Sequence, residues 1–186
     1  MVAAHPSVPL PGCAWEFGYH DVDAMEVWNG LWNVDDELSL RIWHQLLRQG
    51  RRIVAVGGSD SHVAEQPVGR PQTVVYAEEM STPGLIGGLR NGRCYVAESN
   101  AVTLGLRASR DCDTVTVTTE VCGTPDATIS LITDTGCVAR AKTDADGTGN
   151  LAWTVPSGTA RFARVEVRRR SRSLRCWHCR TLCGWT

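Results

Sequence analysis

The sequence predicts an α/β domain over residues 1–98 followed by a small antiparallel β-sandwich over residues 99–168. Three observations carry that expectation. In the first part, apolar runs alternate with helical patterns and each run ends at a turn signal. Near residue 99 the composition changes to short alternating segments rich in Thr and Val. Turn pairs such as Asp146-Gly147 then punctuate those segments at the spacing of a sandwich. Residues 169–186 form a third, basic and cysteine-rich segment.

The first twelve residues contain Pro6, Pro9 and Pro11 and read as loop. DAMEVWNG (23–30) reads as a short strand closed by the turn pair Asn29-Gly30. Residues 35–49 make the clearest helix: Asp35 and Asp36 suit its first turn, and Gly50 stops it. Leu38, Ile42, Trp43, Leu46 and Leu47 are expected to share its buried face. RRIVAVGG has the continuous apolar run of a strand in a parallel sheet. TVVYA (73–77) is a further strand, and STPGLIGGLRNG a helix with a capping serine and a proline in its first turn. RCYVA (93–97) closes the α/β part, with the boundary falling around residues 98–101.

A net charge of −1 gives no electrostatic basis for nucleic-acid or membrane-surface binding, and no run approaches 18 uninterrupted apolar residues. The tail is the local exception, with eight arginines against the single acid Glu166 from Arg161 onward. Of the eight cysteines, Cys13, Cys94, Cys112, Cys122 and Cys137 show no motif spacing. They read as small, mostly buried hydrophobes in a reducing, cytoplasmic compartment, a disulfide framework being the alternative.

Two stretches carry candidate chemistry. In GGSDSH (57–62), after a buried strand, Asp60 and His62 lie two residues apart, which in extended chain puts both side chains on one face. In AHPS (4–7), His5 precedes a proline and is expected to be extended or in a turn. The plain readings are a capping aspartate and an ordinary histidine. Glu26 can orient a histidine, act as a ligand, or simply be exposed; His44 reads as packed or surface, and His20 is uninformative. Cys176, Cys179, Cys183 and His178 make one Cys-x-x-Cys knuckle, where structural zinc ordinarily needs two.

Taken in order, AHP, DAMEVWNG, the helix ending in LLRQG, RRIVAVGGSDSH, and VGRPQTVVYA through LIGGLRNGRCYVA resemble the later part of PHP-domain (polymerase and histidinol phosphatase) metal-dependent hydrolases. The nearest branch is the CehA/McbA-like one, related to carbaryl hydrolase. The resemblance covers about residues 3–98, and residues 99–168 resemble the small β-domain that follows in that branch. It implies the C-terminal part of a distorted (β/α)7 barrel carrying metal ions at the ends of its strands. It also implies that His5, Asp60 and His62 are metal ligands, with Asp60 and His62 at the catalytic centre. Glu26, Asn29 and Ser59 would then orient ligands or face substrate. The implied cofactors are divalent ions (zinc, manganese or iron), whose bound hydroxide attacks a small phosphoester or, secondarily, a carbamate or carboxylic ester.

The family's opening His-x-His and its central glutamate have no counterpart ahead of His5. The resemblance therefore implies a C-terminal fragment, its activity in this form open, with self-association expected through missing barrel strands. A two-nucleotide shift of reading frame within LRCWHCRTLCGWT permits a family-like ending, which would make the tail a frameshift product. The alternative is a non-catalytic binding or regulatory module that uses the basic or zinc-knuckle tail.

Overall fold

The computed structural model of the chain describes residues 1–11, 13 and 15–169, and the backbone of one short strand beyond them, Cys179–Thr181. The side chains of Cys176, His178, Cys179 and Cys183, and with them the zinc-knuckle and frameshift expectations, lie outside the described residues. The chain divides into two compact units, Met1–Ser99 and Asn100–Thr186.

Unit 1 begins with a three-stranded parallel sheet in the order β1-β2-β3, formed by β1 (Val2–Ala3), β2 (Ala24–Asn29) and β3 (Val54–Gly58). Helix α1 (Val34–Arg48) makes the crossover from β2 to β3 that a parallel pair requires. Asn33 caps it by accepting the Asp35 N–H at 2.6 Å, and Asp36 completes a capping box by accepting the Asn33 N–H at 2.8 Å. Its buried face is Asp36, Ser39, Leu40, Trp43, Leu46 and Leu47; Leu38, expected there, is 48% exposed. Trp43 is buried and donates its indole N–H to the Ile53 carbonyl at 2.8 Å, fastening the helix to the start of β3.

The remaining strands overturn the barrel expectation. β4 (Gln72–Val75) and β5 (Cys94–Ala97), joined through α2 (Thr82–Arg90), pair with each other and run antiparallel. No barrel closes among the described residues, which carry two helices against twelve strands and are mainly β. The physical reason lies at the end of β3. Thr73 Oγ1 accepts the Gly57 N–H at 2.9 Å and donates to the Gly57 carbonyl at 2.8 Å. A hydroxyl thus occupies both backbone groups of Gly57 that a further parallel strand would use at the end of β3. A Cβ on Gly57 would lie 2.5 Å from Val96 Cγ1 and 2.7 Å from the Trp28 carbonyl oxygen, so β5 crosses this point by side-chain packing.

Unit 2 consists of two facing antiparallel sheets. One is β10-β7-β6, from β6 (Thr103–Asp111), β7 (Thr114–Cys122) and β10 (Gly149–Pro156). The other is β12-β11-β8-β9, from β8 (Ala127–Thr133), β9 (Gly136–Lys142), β11 (Ala163–Arg169) and β12 (Cys179–Thr181). Period-two alternation builds the core: Leu104, Val117, Val121 and Leu151 from the first sheet, Ile129, Leu131, Val165 and Val167 from the second. On the other face of β11, buried Glu166 accepts from Arg164 Nη1 at 2.5 Å and from Arg168 Nε at 2.7 Å. Burial pushes the Glu166 carboxyl up, but the two guanidiniums outweigh it and hold the group below its usual range.

Of the five cysteines read as mostly buried, only Cys94 is; Cys13, Cys112, Cys122 and Cys137 are exposed, and all five are free thiols. Burial pushes the Cys94 thiol up to about 11, so it is an inert core group. No helix among the described residues is long and apolar enough to cross a membrane.

Two glycines test this packing in opposite directions. Gly57→Ala is expected to lower stability by about 1–3 kcal/mol through overpacking against Val96 and the Trp28 carbonyl. Gly87→Ala, inside α2 with nothing within 4 Å of the new methyl, is expected to raise it by about 0.5–1 kcal/mol. Urea unfolding midpoints of the two variants check both signs; a neutral Gly57→Ala would show that β3 and β5 do not press on each other.

Candidate functional site

Because β1, β2 and β3 run parallel, the loops that leave their C-terminal ends gather along one edge of the sheet. That edge carries the six residues that the resemblance implies for the site. His5 follows β1, Glu26 and Asn29 belong to β2, and Ser59, Asp60 and His62 follow β3.

Glu26 sits at the middle of the edge. Its Oε2 accepts the His5 backbone N–H at 2.7 Å and Asn29 Nδ2 at 3.1 Å. Its Oε1 lies 3.6 Å from where a Cβ on Gly58 would be, so the carboxylate also overlies the end of β3. The contact to His5 is with the main chain and not the imidazole, so Glu26 places the loop that carries the ring. Asn29 extends the same network, its N–H donating to Asp36 Oδ1 at 2.8 Å.

His5 and Asp60 both have left-handed backbones, with φ of 30° and 48°. His5 takes the turn that its place before a proline allowed, closed by the Val8 N–H to its carbonyl, whereas Asp60 is not the extended residue expected of it and turns the chain away from β3. A left-handed non-glycine residue costs roughly 1–2 kcal/mol, which the surrounding contacts must supply. His5 Nδ1 lies 3.2 Å from the Cys13 carbonyl oxygen. A carbonyl only accepts, so in the neutral ring Nδ1 carries the proton and Nε2 keeps its lone pair.

Asp60 and His62 do meet, despite the turn. His62 Nε2 is 3.0 Å from Asp60 Oδ1, with the side chains 74% and 44% exposed. By the same reasoning Nε2 donates to the carboxylate, and Nδ1 remains as an acceptor. Gln66 accepts the backbone N–H groups of both His62 and Val63, and Ser59 Oγ accepts the Gly69 N–H at 3.2 Å. The loop after β3 is therefore tied by side chains at three points, and its exposed pair is held in place.

The structure brings Asp60 and His62 together but does not bring His5 to them as a third donor. Among the described residues no three His, Cys, Asp or Glu side chains converge on a point that a metal ion would occupy. Protein-held zinc takes at least three such donors. As arranged, these residues do not fit a metal centre by themselves, and the Asp60–His62 hydrogen bond uses one donor atom of each.

Sequence reasoning missed Asp36 and Gln66. Asp36 was legible as an N3 residue three positions after an Asn cap; its second role, accepting from Asn29, depends on the β2–α1 turn. Nothing in the local sequence marks Gln66 as the support of His62.

No family model matches the chain, and no curated protein matches it. Among solved structures, similarity is found to the crystal structure of a two-domain protein from Bacteroides vulgatus containing a predicted PHP-like metal-dependent phosphoesterase. The two are 13% identical with a TM-score of 0.39, over 100% of this chain and 61% of that one. A likeness that slight carries no argument about the chemistry of this site. The chain spans 61% of the length of that protein.

Burial pushes the Asp36 carboxyl up from 3.8 to about 6, although the Asn29 and Asn33 N–H groups pull it down. The folded state thus holds this proton more tightly than the unfolded one. Its contribution is fully present below pH 3.8 and is lost as pH rises through about 6. Unfolding midpoints are expected to fall between pH 4.5 and 6.5 in the wild type and to flatten in Asp36→Asn. An unchanged slope in the variant would remove Asp36 as the cause.

Proposed function

We propose that this edge of unit 1 is part of a hydrolase site acting on a small phosphoester, with a carbamate or carboxylic ester as the second substrate class. The observation that carries the reading is the 3.0 Å Asp60–His62 pair, solvent-accessible at the C-terminal end of β3. Accessible acid–histidine pairs at strand ends are suited to proton transfer at neutral pH. Strained backbone at both His5 and Asp60 supports a functional and not merely structural reason for their placement.

Two versions of the proposal differ in one respect. In the metal-dependent version, supported by the resemblance to PHP hydrolases, His5, Asp60 and His62 would hold zinc, manganese or iron, which requires His5 to be brought to the other two. That version needs further donors beyond the described side chains. In the metal-free version, favoured by the hydrogen bond itself, Asp60 holds His62 Nε2–H. His62 Nδ1 then takes a proton from a water as the water oxygen bonds to phosphorus or carbonyl carbon, and the imidazolium returns that proton to the leaving oxygen as its bond to phosphorus or carbon breaks. Four exposed thiols without disulfide partners support a reducing, cytoplasmic setting for either version.

The whole chain is assayed with p-nitrophenyl phosphate, with and without EDTA, alongside calorimetric titration with Mn²⁺ and Zn²⁺. Turnover is expected to fall about 100-fold or more in both Asp60→Asn and His62→Ala, the size of a lost general base. EDTA sensitivity together with metal uptake that Asp60→Asn abolishes selects the metal-dependent version; turnover indifferent to EDTA selects the other. Turnover undiminished by Asp60→Asn, or neither turnover nor metal uptake by the wild-type chain, overturns the proposal.

A further inference from the structure

Unit 2 contains a cavity of about 270 Å³ built wholly from its own residues. Its origin is a mismatch in how far the core-facing rows extend. Directly opposed residues in an antiparallel ladder share a face. Val117 therefore shares a face with Trp153 and Ala108, and in the next row Val115 with Val155 and Arg110. Both rows continue the face that carries Leu104, Val121 and Leu151 into the core. Val117 is 2% exposed, whereas Val115, Trp153 and Val155 are only half-buried, so cover runs out along this face. The loop from Pro156 to Phe162 closes the space from the other side, with Phe162 itself buried.

The polar content of this space is specific. Arg110 is the residue at which the apolar alternation of β6 gives way to a charge, and it lines the cavity with no carboxylate partner among the described residues. Arg161, which also lines it, is already neutralised: its Nε and N–H both donate to Asp134, at 3.1 and 3.0 Å. The site therefore combines an aromatic ring, aliphatic walls and one uncompensated guanidinium. A cavity of about 150 Å³ with apolar walls is enough to hold benzene, so this one has room for a ring and a short polar arm. A guanidinium at the edge of such a slot selects a planar anion, for which its donor fork is matched.

We propose that this end of unit 2 binds a small organic acid with a ring-sized apolar body, the body seated between Trp153 and the valines and the carboxylate on Arg110. The site is independent of the hydrolase reading, since it shares no residue with the edge of unit 1.

The test uses the full chain and two probes of the same shape, 3-phenylpropionate and the neutral 3-phenylpropanamide. Binding is followed by calorimetry and by the shift of the Trp153 indole N–H resonance, assigned with Trp153→Phe. The carboxylate is expected to bind about tenfold more tightly than the amide, with the Trp153 resonance moving on titration. Arg110→Gln, an exposed strand position, is expected to keep the fold and bring the two probes to equal affinity. Equal binding of both probes by the wild type overturns the ligand class. A preference that survives Arg110→Gln overturns the role of that residue, and no binding of either probe at millimolar concentration overturns the site.

Discussion

The Glu26 carboxylate is the constraint from which the rest of unit 1 is arranged. It lies on the central strand of the parallel sheet and reaches both neighbours, accepting the His5 N–H beyond β1 and overlying Gly58 at the end of β3. Asn29 then carries the network to Asp36, and Asp36 caps α1 through Asn33. Two acids linked through one asparagine thus tie three strand ends and a helix start together. Asp36 lies buried beside that carboxylate, and its raised affinity for a proton follows chiefly from lost solvation, with smaller pushes from Asp35 and then Glu26. Charge placed so close to the surface of a small sheet is a poor way to gain stability. It is a good way to hold loops that would otherwise wander.

How far the chain extends its parallel sheet is decided by Thr73 and Gly57, and that decision was not legible in the sequence. The apolar run before GGSDSH, the α1 cap and the stop at Gly50 all follow local rules, and the structure follows them too. Local rules say nothing about whether the next strand adds in parallel. TVVYA and RCYVA have the same composition whether they continue a parallel sheet or pair with each other. The hydroxyl of Thr73, turned onto the Gly57 backbone, ends the sheet there, and β4 and β5 complete their ladder mutually. Leu38 fails for a related reason. Several apolar stripes fit one helix, and the stripe through Leu40 is chosen by where Trp43 finds the Ile53 carbonyl.

The candidate site divides in the same way. Asp60 and His62 were legible because their spacing after an apolar run is short-range information, and they do meet. The geometry by which they meet is not the one spacing implies, since Asp60 is left-handed and the pair closes across a turn. The convergence of His5 with them depends on contacts across three strands, and the structure anchors His5 through its main chain instead. A spacing rule can nominate donors, but it does not decide which lone pairs are spent on one another. Here one oxygen of Asp60 and one nitrogen of His62 are spent in that way.

Unit 2 shows the complementary case, in which alternation alone goes a long way and then leaves something over. Period-two patterning places Leu104, Val117, Val121 and Leu151 on the core face of one sheet and Ile129, Leu131, Val165 and Val167 on that of the other. The same pattern does not stop where cover stops. It continues through Trp153 and Val155 to Arg110, and a sheet of fixed register cannot turn those side chains away without turning the core residues too. An apolar face that outlasts its cover either costs hydration at every half-buried residue or is covered by something else. Arg110 at its margin carries a charge that the core did not require, and that charge gives the open end a chemical preference.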